Sequence, residues 1–349
     1  MLTEFSAIEG AYLRDILDQP RALTDTLAAL DTPKGLRSIA ATLRRGGFRT
    51  VVLTGMGSSF HALHPTHLAL IDHGLTAIMI ETAELVHYAK QLFGPKTLII
   101  AVSQSGKSAE MIRLLEVNHH RSPIVAVTNT ADSPLAKAAD ANLLTAAGHE
   151  FSVSCKTYVC ALMALEWVTS VFCDRDLSRV REQLKRDCPA VQEYLSGWKQ
   201  HVQTLAKLLE RTRHLFFVGR GPSLATVGTG ALIVKESDHF HAEGMSSASF
   251  RHGPLEMISD EIFVLVFAGD APTRDLNERL LDDVRLQGGR TELVGEHSAF
   301  AACKLSAVHR SFLAIVEILP VQMITLALAA QVGREPGRFE LATKVTTRE

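Results

Sequence analysis

The sequence predicts an α/β protein built from two similar domains in tandem, each a parallel β-sheet with helices on both faces. Its 349 residues are long for one domain and comfortable for two. Short, continuously apolar segments alternate with helical patterns, which is typical of parallel sheets that are covered on both faces. A pattern of strand, glycine and helix in the first half of the chain also returns in the second half.

The first half opens with a helical pattern over residues 7–31, which Pro20 must break or kink, and a second helix follows over about 34–46. Apolar segments predict strands at 51–54, 76–81, 97–103, 123–128 and 141–145. An apolar helix is predicted at 154–172. The polar helical pattern at 177–210 indicates a connector between the two domains.

The second half begins with a strand at 215–218, and further strands are predicted at 262–267 and 291–295. The most apolar window, 312–331, carries Glu317 and Pro320. We therefore expect a buried core helix there rather than a membrane span.

Glycines at strand ends indicate an internal duplication. Gly219 follows Gly55 by 219 − 55 = 164 residues, and Gly269 follows Gly106 by 269 − 106 = 163 residues. A period this long means two copies of a domain rather than a solenoid. The predicted organisation is an N-terminal helical segment, a first domain, a second domain and a C-terminal tail, at 1–33, 34–190, 191–331 and 332–349.

Composition excludes several classes of function. The formal net charge is −2, so the sequence lacks the basic surface expected of a nucleic-acid-binding protein. The five cysteines are odd in number and have no CxxC spacing, which argues against a disulfide framework and against a zinc site. No basic and apolar leader opens the chain. We expect a cytoplasmic protein with reduced thiols and no membrane segment.

The most informative stretch runs over residues 103–110, where Ser103, Gln104, Ser105, Gly106 and Ser108 stand between an apolar strand and a helix. Backbone N–H groups and the positive end of the helix dipole meet at such a junction, which suits an anion. Hydroxyl groups add neutral donors. The same residues would also make an ordinary N-cap, with Glu110 in the first turn. The stretch alone leaves both interpretations open.

A second loop, with Gly57 and Ser59, follows the first strand. Ligands of open parallel sheets bind beyond the carboxyl ends of strands, so Ser59 and the 103–108 loop can converge on one phosphate. A dinucleotide site is the alternative, but Phe60 stands where its third glycine would be. The second copy has Asp270 at the equivalent strand end, which would repel an anion. We therefore expect one phosphate site per chain, in the first copy.

Acid–base residues are concentrated in the second copy. Glu236 lies near the end of an apolar helix, and His252 precedes Gly-Pro in a loop. A carboxylate and an imidazole at a pocket edge suit proton transfer to and from carbon and a ring oxygen. A structural role remains the alternative, above all for His239. A metal site at His239, His241 and Glu243 would lack a fourth ligand, so no metal is predicted.

Together these stretches resemble the sugar isomerase (SIS) superfamily, and more closely the isomerase half of glucosamine-6-phosphate synthases (glutamine–fructose-6-phosphate aminotransferases). The resemblance covers nearly the whole chain. It rests on an ordered set of motifs: Gly57-Ser-Ser59, Ser103-Gln-Ser-Gly106, Lys235-Glu236, His241-Ala-Glu243, His252-Gly-Pro254 and Leu341-Ala-Thr-Lys344-Val-Thr.

The resemblance implies two SIS domains, each with a flavodoxin-like parallel sheet, and a homodimer without a cofactor. It implies that a sugar phosphate is bound by Ser59, Ser103, Gln104, Ser105 and Ser108, with further substrate contacts from Gly57, Val153 and Ala342. Glu236 would move a proton between C1 and C2 of the open-chain sugar. His252 would assist ring opening from the partner subunit, and Lys344 would form a Schiff base with the ketose.

Two departures from that family shape the expected function. The glutaminase half with its terminal cysteine is not found, since Met1 is followed by Leu2 and Cys155 is the first cysteine. Ile233 also stands where the family has a lysine one turn before the glutamate. We therefore expect isomerisation of a phosphorylated amino sugar with release of ammonia or an amine, as in glucosamine-6-phosphate deaminases or fructosamine-6-phosphate deglycases. The alternatives are a plain phosphosugar isomerase and a non-catalytic sugar-phosphate sensor.

Overall fold

The structure is a computed structural model that describes residues 5–341 and 343–346. In this part of the chain, the helices in order are α1 (Phe5–Ile8), α2 (Ala11–Leu17), α3 (Gln19–Ala29), α4 (Lys34–Arg44), α5 (Ser58–His61), α6 (His64–Asp72), α7 (Thr82–Tyr88), α8 (Ala109–Asn118), α9 (Pro134–Ala138), α10 (Lys156–Phe172), α11 (Leu177–Asp187), α12 (Pro189–Ser196), α13 (Trp198–Leu208), α14 (Leu224–Asp238), α15 (Ser247–Arg251), α16 (Arg274–Leu286) and α17 (Leu313–Val332). The strands are β1 (Thr50–Thr54), β2 (Ala77–Met79), β3 (Thr97–Val102), β4 (Ile124–Thr128), β5 (Ala141–Leu144), β6 (His214–Gly219), β7 (Ala242–Ser246), β8 (Ile262–Phe267) and β9 (Arg290–Val294).

The first sheet has the strand order β2-β1-β3-β4-β5, and all its neighbouring strands are parallel. In the register of its centre, Val52 of β1 pairs with Ile78 of β2 and with Ile99 of β3. Every residue of β3 is buried, because helices cover a parallel sheet on both faces. Its unbroken apolar sequence follows from that burial.

The second sheet has the order β7-β6-β8-β9 and is also parallel throughout. Its centre is formed by β6 and β8, where Phe216 pairs with Val264. The phenyl ring of Phe216 packs edge-on against Phe250 at 5.2 Å within the apolar core. The two sheets confirm the predicted fold class of two parallel-sheet domains in tandem.

Two segments differ from the sequence-based expectation. β7 was not predicted, because its sequence Ala-Glu-Gly-Met-Ser is neither continuously apolar nor alternating, and Glu243 and Gly244 in it are exposed. It is an edge strand that pairs only with β6. The helix predicted over 7–31 is divided, with α2 ending at Leu17 and α3 starting at Gln19. Pro20 thus lies in the first turn of α3, where its missing N–H costs no helical hydrogen bond.

The apolar window near the C-terminus forms α17. The segment Arg310–Val332 is long and apolar enough to cross a membrane, but 94% of its most apolar window is buried inside the protein. Gln322 in this helix exchanges two hydrogen bonds with Gln19, at 2.8 and 3.1 Å, and both side chains are completely buried. This is the environment of a core helix, as the sequence predicted.

The described residues form two compact units. The first-copy unit contains Arg21–His149, Lys156–Arg186 and the tail residues 343–346. The second-copy unit contains the described residues up to Pro20, together with Glu150–Cys155 and Asp187–Leu341. Each unit holds one of the two sheets.

Candidate functional site

The first-copy loop pair consists of residues 55–59, which follow β1, and residues 103–108, which follow β3. β1 and β3 are neighbours in the sheet, and the chain leaves them in opposite directions, towards β2 and towards β4. The carboxyl ends of two such strands define a switch point in strand order, where open α/β sheets bind their ligands. The fold thus brings Ser59 and the serines of the second loop to one edge of the sheet.

Gly106 determines the shape of the loop after β3. Its φ is +60°, and a Cβ atom at this position would lie 2.3 Å from Ser133 Oγ. Only glycine fits this conformation and this space. The Oγ atom of Ser103 accepts a hydrogen bond from the Gly106 N–H at 3.1 Å, and Ser105 Oγ accepts one from the Lys107 N–H at 3.4 Å. Since a hydroxyl can accept and donate together, both O–H groups keep a hydrogen for a ligand.

Ser108 and Gln104 complete this loop. Ser108 is the N-cap residue of α8 with extended backbone, but its side chain accepts no hydrogen bond from the helix. The N-cap interpretation therefore does not account for its hydroxyl. The main-chain carbonyl of Gln104 accepts hydrogen bonds from Asn129 N at 3.0 Å and from Thr128 Oγ1 at 3.2 Å. These bonds hold the loop against β4 and leave the Gln104 side chain half-buried at the surface.

Two glycines place the loop after β1. Gly57 has a φ of +54° and precedes the turn that carries Ser59, which is half-buried. A Cβ atom on Gly55 would come within 3.0 Å of Phe60 N and of Val102 O at the end of β3. The start of the loop after β1 thus lies close to the backbone at the end of β3.

The C-terminal tail lies in the same unit. The carbonyl of Thr346 accepts a hydrogen bond of 3.0 Å from the backbone N–H of Ala109, the first residue of α8. Lys344, two residues earlier, is half-buried. Composition alone would have assigned this segment to a frayed end. Ala342, for which a substrate contact was predicted, lies outside the described residues.

The predicted acid–base residues belong to the second-copy unit. Glu236 lies in the last turn of α14 and is half-buried. His252 ends α15 and is exposed, whereas Val153 is 1% exposed in the segment Glu150–Cys155. Ile233, one turn before Glu236, is completely buried. The family's lysine is thus replaced by an apolar core residue.

Sequence reasoning missed two buried groups beside Glu236. Burial raises the pKa of Tyr12 well above its usual value, and the nearby Cys155, Asp238 and Glu236 raise it further. Burial also raises the pKa of Asp238 well above that of an ordinary carboxyl. The Ser237 hydroxyl donates to Asp238 Oδ2 at 2.5 Å and lies 2.6 Å from the Ile233 carbonyl. This hydrogen bond partly offsets the effect of burial on the pKa of Asp238.

In the part of the chain that the structure describes, no group of three or more histidine, cysteine, aspartate and glutamate side chains could hold a metal ion.

The family assignment follows from both halves of the chain. The family model of the SIS domain matches residues 48–170 and 208–331, which contain all strands of the two sheets described above. The chain therefore belongs to the SIS domain family, and it carries the domain twice.

Individual relatives show which members of this family the chain resembles. Glutamine–fructose-6-phosphate aminotransferase [isomerizing] from Pyrococcus horikoshii is 28% identical over 360 residues, which span 99% of this chain and 59% of the relative. The chain thus spans little more than half the length of that relative. The similarity confirms the resemblance to the isomerase half of these enzymes.

Solved structures agree on the fold. The C-terminal domain of glucosamine-fructose-6-phosphate aminotransferase from Francisella tularensis superimposes with a TM-score of 0.81 at 22% identity, over 94% of this chain and 98% of that one. Glucosamine-6-phosphate deaminase from Thermotoga maritima superimposes with a TM-score of 0.74 at 18% identity, over 97% and 100% of the two chains. Both share the tandem α/β architecture.

Proposed function

We propose that this chain is an SIS-type enzyme that isomerises a phosphorylated amino sugar between aldose and ketose forms and releases ammonia or an amine. The observation that carries the proposal is the first-copy loop pair, in which Ser59, Ser103, Ser105 and Ser108 lie in the two loops at one switch point of the sheet, before the start of α8. Such a site suits a phosphate monoester.

The phosphate would anchor the substrate, and proton transfer would be carried by other groups. His252, from a second copy of the chain, would help to open the sugar ring. Glu236 would take the proton from C2 of glucosamine 6-phosphate and return it to C1, which converts the C2 amine into an imine. Lys344 would add to C2 and displace ammonia, and water would hydrolyse the resulting Schiff base to fructose 6-phosphate and free lysine.

The contact between Ala109 and Thr346 supports the role of the tail, because it places Lys344 two residues from a bond to the helix that follows the serine loop. The exposure of His252 supports a homodimer, because a residue that serves a partner's site must be accessible in the single chain. We further propose that the protein works in the cytoplasm, where such metabolites occur.

The test is incubation of the purified protein with glucosamine 6-phosphate and with fructosyl-amino-acid 6-phosphates, with assays for ammonia, free amine and fructose 6-phosphate. We expect Glu236→Gln to lower kcat by about 10²- to 10⁴-fold. Glu243→Gln is the matched control. Glu243 lies on β7, and its exposed carboxylate is 3.6 Å from the imidazole of His241. Borohydride treatment during turnover should attach the sugar to Lys344. No product from either substrate, together with an unaffected Glu236→Gln variant, would refute the proposal.

The burial of Ile233 favours one alternative, a sugar-phosphate sensor, because a lysine that could take part in proton transfer is replaced by a core residue. Tight binding of a sugar phosphate without turnover would identify a sensor. Turnover confined to amine-free sugar phosphates would instead identify a plain phosphosugar isomerase.

A further inference from the structure

A cleft opens at the carboxyl ends of β8 and β9 in the second-copy unit. Its walls come from residues 268–269 after β8, residues 295–297 after β9, the segment 305–308 and the first turns of α17. The space between them is about 360 Å³, with the open mouth included. No described residue of the family motifs lines it. We call it the β8–β9 cleft.

Small residues bound the cleft where the two strands end. Gly269 and Gly295 line it without side chains, and Ala268 contributes one methyl group. A Cβ atom on Gly295 would lie 2.8 Å from the Cβ atom of Ala268, which is closer than two such atoms can approach. A side chain at position 295 would therefore force the two loops apart. The narrow space between the strand ends thus depends on Gly295.

Glu317 of α17 brings a carboxyl group to this cleft. It is 1% exposed, and its Oε1 atom accepts a hydrogen bond of 2.8 Å from Ser223 Oγ. Its Oε2 atom is buried and has no hydrogen-bond partner among the described residues. A buried oxygen in this state lacks the hydrogen bond that water supplies in the unfolded chain. An N–H donor that enters the cleft would restore it.

The surroundings of Glu317 favour a cation. Burial raises the pKa of Glu317 to about 8, and the nearby Asp270 raises it further, against the opposing effect of the Ser223 and Thr226 hydroxyls. The carboxyl group is therefore mostly protonated at neutral pH. An ammonium group beside it would favour the ionised form, so the bound pair would be an ammonium and a carboxylate, with the displaced proton released to solvent.

The rim of the cleft carries a cationic group as well. Arg274, the first residue of α16, lines the cleft and is half-buried, and Glu296 and His297 line it from the exposed side. Among the described residues, the side chain of Arg274 has no ion pair and no hydrogen bond. A guanidinium group without a partner suits a carboxylate, to which it can donate two parallel hydrogen bonds.

We propose that the β8–β9 cleft binds a small zwitterion of the α-amino-acid class, with its ammonium group on Glu317 and its carboxylate on Arg274. The buried side chains of Leu305 and Val316 would contact an aliphatic side chain of the ligand. The proposal uses only this cleft and does not depend on the proposed function of the chain.

A ligand of one charge would fit this cleft less well. A carboxylate without an amine would bind Arg274 but would leave Glu317 Oε2 without a donor. An amine without a carboxylate would pair with Glu317 and leave Arg274 unpaired. A molecule that carries both groups on one carbon atom satisfies both residues, which line the same cleft.

The first experiment is calorimetric titration of the full chain at pH 7 with glycine, L-alanine, L-valine and L-leucine. We expect at least one of them to bind with one site per chain. L-Valine has two matched analogues, since 3-methylbutanoate lacks only the amine and 2-methylpropan-1-amine lacks only the carboxylate. Both should bind at least about tenfold more weakly than L-valine. No saturable binding of any of the four amino acids, or equal binding of L-valine and either analogue, would overturn the proposal.

Variants then test the two assigned contacts. Arg274→Gln and Glu317→Gln should each weaken the binding of the amino acid by about tenfold or more. Arg279→Gln is the matched control, because Arg279 lies on the same helix α16, is exposed and is bonded to the Asp275 carbonyl. Unchanged affinity in both cleft variants would contradict the site. Should Glu317→Gln not fold, Arg274→Gln decides, since its side chain is only half-buried.

Proton release gives a readout that belongs to Glu317 alone. Titration at pH 7 in two buffers of different ionisation enthalpy measures the protons released per bound ligand. We expect close to one proton in the wild type and in Arg279→Gln, and none in Glu317→Gln. The same release in Glu317→Gln as in the wild type would show that the ammonium group does not bind Glu317 and would refute the assignment.

Discussion

The first-copy loop pair lies at the same place in its sheet as the second-copy loop pair, which consists of residues 219–223 at the end of β6 and residues 268–273 after β8. The two pairs differ in what their polar side chains contact. In the first copy, Ser103 and Ser105 accept hydrogen bonds from their own loop, and their O–H groups remain available. In the second copy, Ser223 bonds to Glu317 and Asp270 bonds to Arg310. The same place in the sheet therefore carries hydroxyl groups that bond within their own loop in one copy, and side chains that bond to other elements of the protein in the other.

The largest expected effect is on the pH dependence of stability. Glu317, which bonds to Ser223 of the second-copy loop pair, has a titrating proton, whereas the serines of the first-copy loop pair have none. Burial raises its pKa from 4.5 to about 8, and Asp270 adds to the shift. Because the folded state holds this proton more tightly than the unfolded state, the resulting stability is fully present below about pH 4.5 and is lost as the pH rises through 8. At 1.36 kcal/mol per pKa unit, the shift corresponds to about 5 kcal/mol.

Urea denaturation of the wild type between pH 5 and 9 should therefore show stability falling with rising pH, and Glu317→Gln should remove most of that slope. Glutamine keeps an oxygen for Ser223 but carries no titrating proton. Glu296→Gln is the control, because Glu296 is exposed. An unchanged slope in Glu317→Gln would show that the proton is held elsewhere.

A smaller effect on stability and ligand binding distinguishes Ser59, which comes after β1, from Ser223, which comes after β6. Ser223→Ala should lower the free energy of unfolding by about 1–3 kcal/mol, because it removes the hydroxyl that donates to the buried Glu317 Oε1. Ser59→Ala should change stability by no more than about 0.5 kcal/mol but weaken binding of glucosamine 6-phosphate by about tenfold. Denaturation and calorimetry on both variants measure the two effects. The reverse pattern would contradict the division of roles between the loop pairs.

The smallest effect concerns the backbone N–H groups of Ala109 and Arg274, the first residues of α8 and α16. The Ala109 N–H binds the tail at Thr346 O, whereas the Arg274 N–H binds its own loop at Asp270 O, at 3.1 Å. Ala109→Pro removes only the tail contact, because proline fits the first helical position and the ψ of 157° at Ser108 suits a residue before proline. We expect kcat to fall by about tenfold, equivalent to about 1.4 kcal/mol, without loss of stability.

Arg274→Pro should instead destabilise the protein by about 1 kcal/mol, because Thr273 has a ψ of 1°, which proline disfavours in its preceding residue. Ala109→Ser keeps the N–H and is the control for the first variant. Equal kcat values for Ala109→Pro and Ala109→Ser would exclude a role for the tail contact.

Local sequence predicted those parts of the fold whose signal is local. β3 and β8 are continuously apolar because all their residues are buried, so their sequences identify them. β7 has no such signal, since an edge strand with exposed Glu243 does not need apolar residues. The serine loop was predicted for the same reason as β3, because its strand, glycine and helix are contiguous in the chain.

The second-copy loop pair could be predicted only in part. The repeat of glycines located it, and the charge of Asp270 indicated that it would not bind an anion. The partners of its side chains depend on tertiary structure, because Arg310 lies 40 residues from Asp270 and Glu317 lies 94 residues from Ser223. The same holds for the bond from Ala109 to Thr346, since the tail has no periodic pattern that predicts where it packs.

The pair formed by Gln19 and Gln322 has a consequence for folding during synthesis. The two residues are 303 positions apart, and the buried side chains Tyr12, Leu13 and Ile16 precede Gln19 in the same unit. At about 5–20 residues per second, a ribosome needs roughly 15–60 s to make the intervening chain. During that time, the apolar face of α2 has no α17 to cover it. The N-terminal helices therefore expose apolar side chains on the nascent chain until α17 has been made.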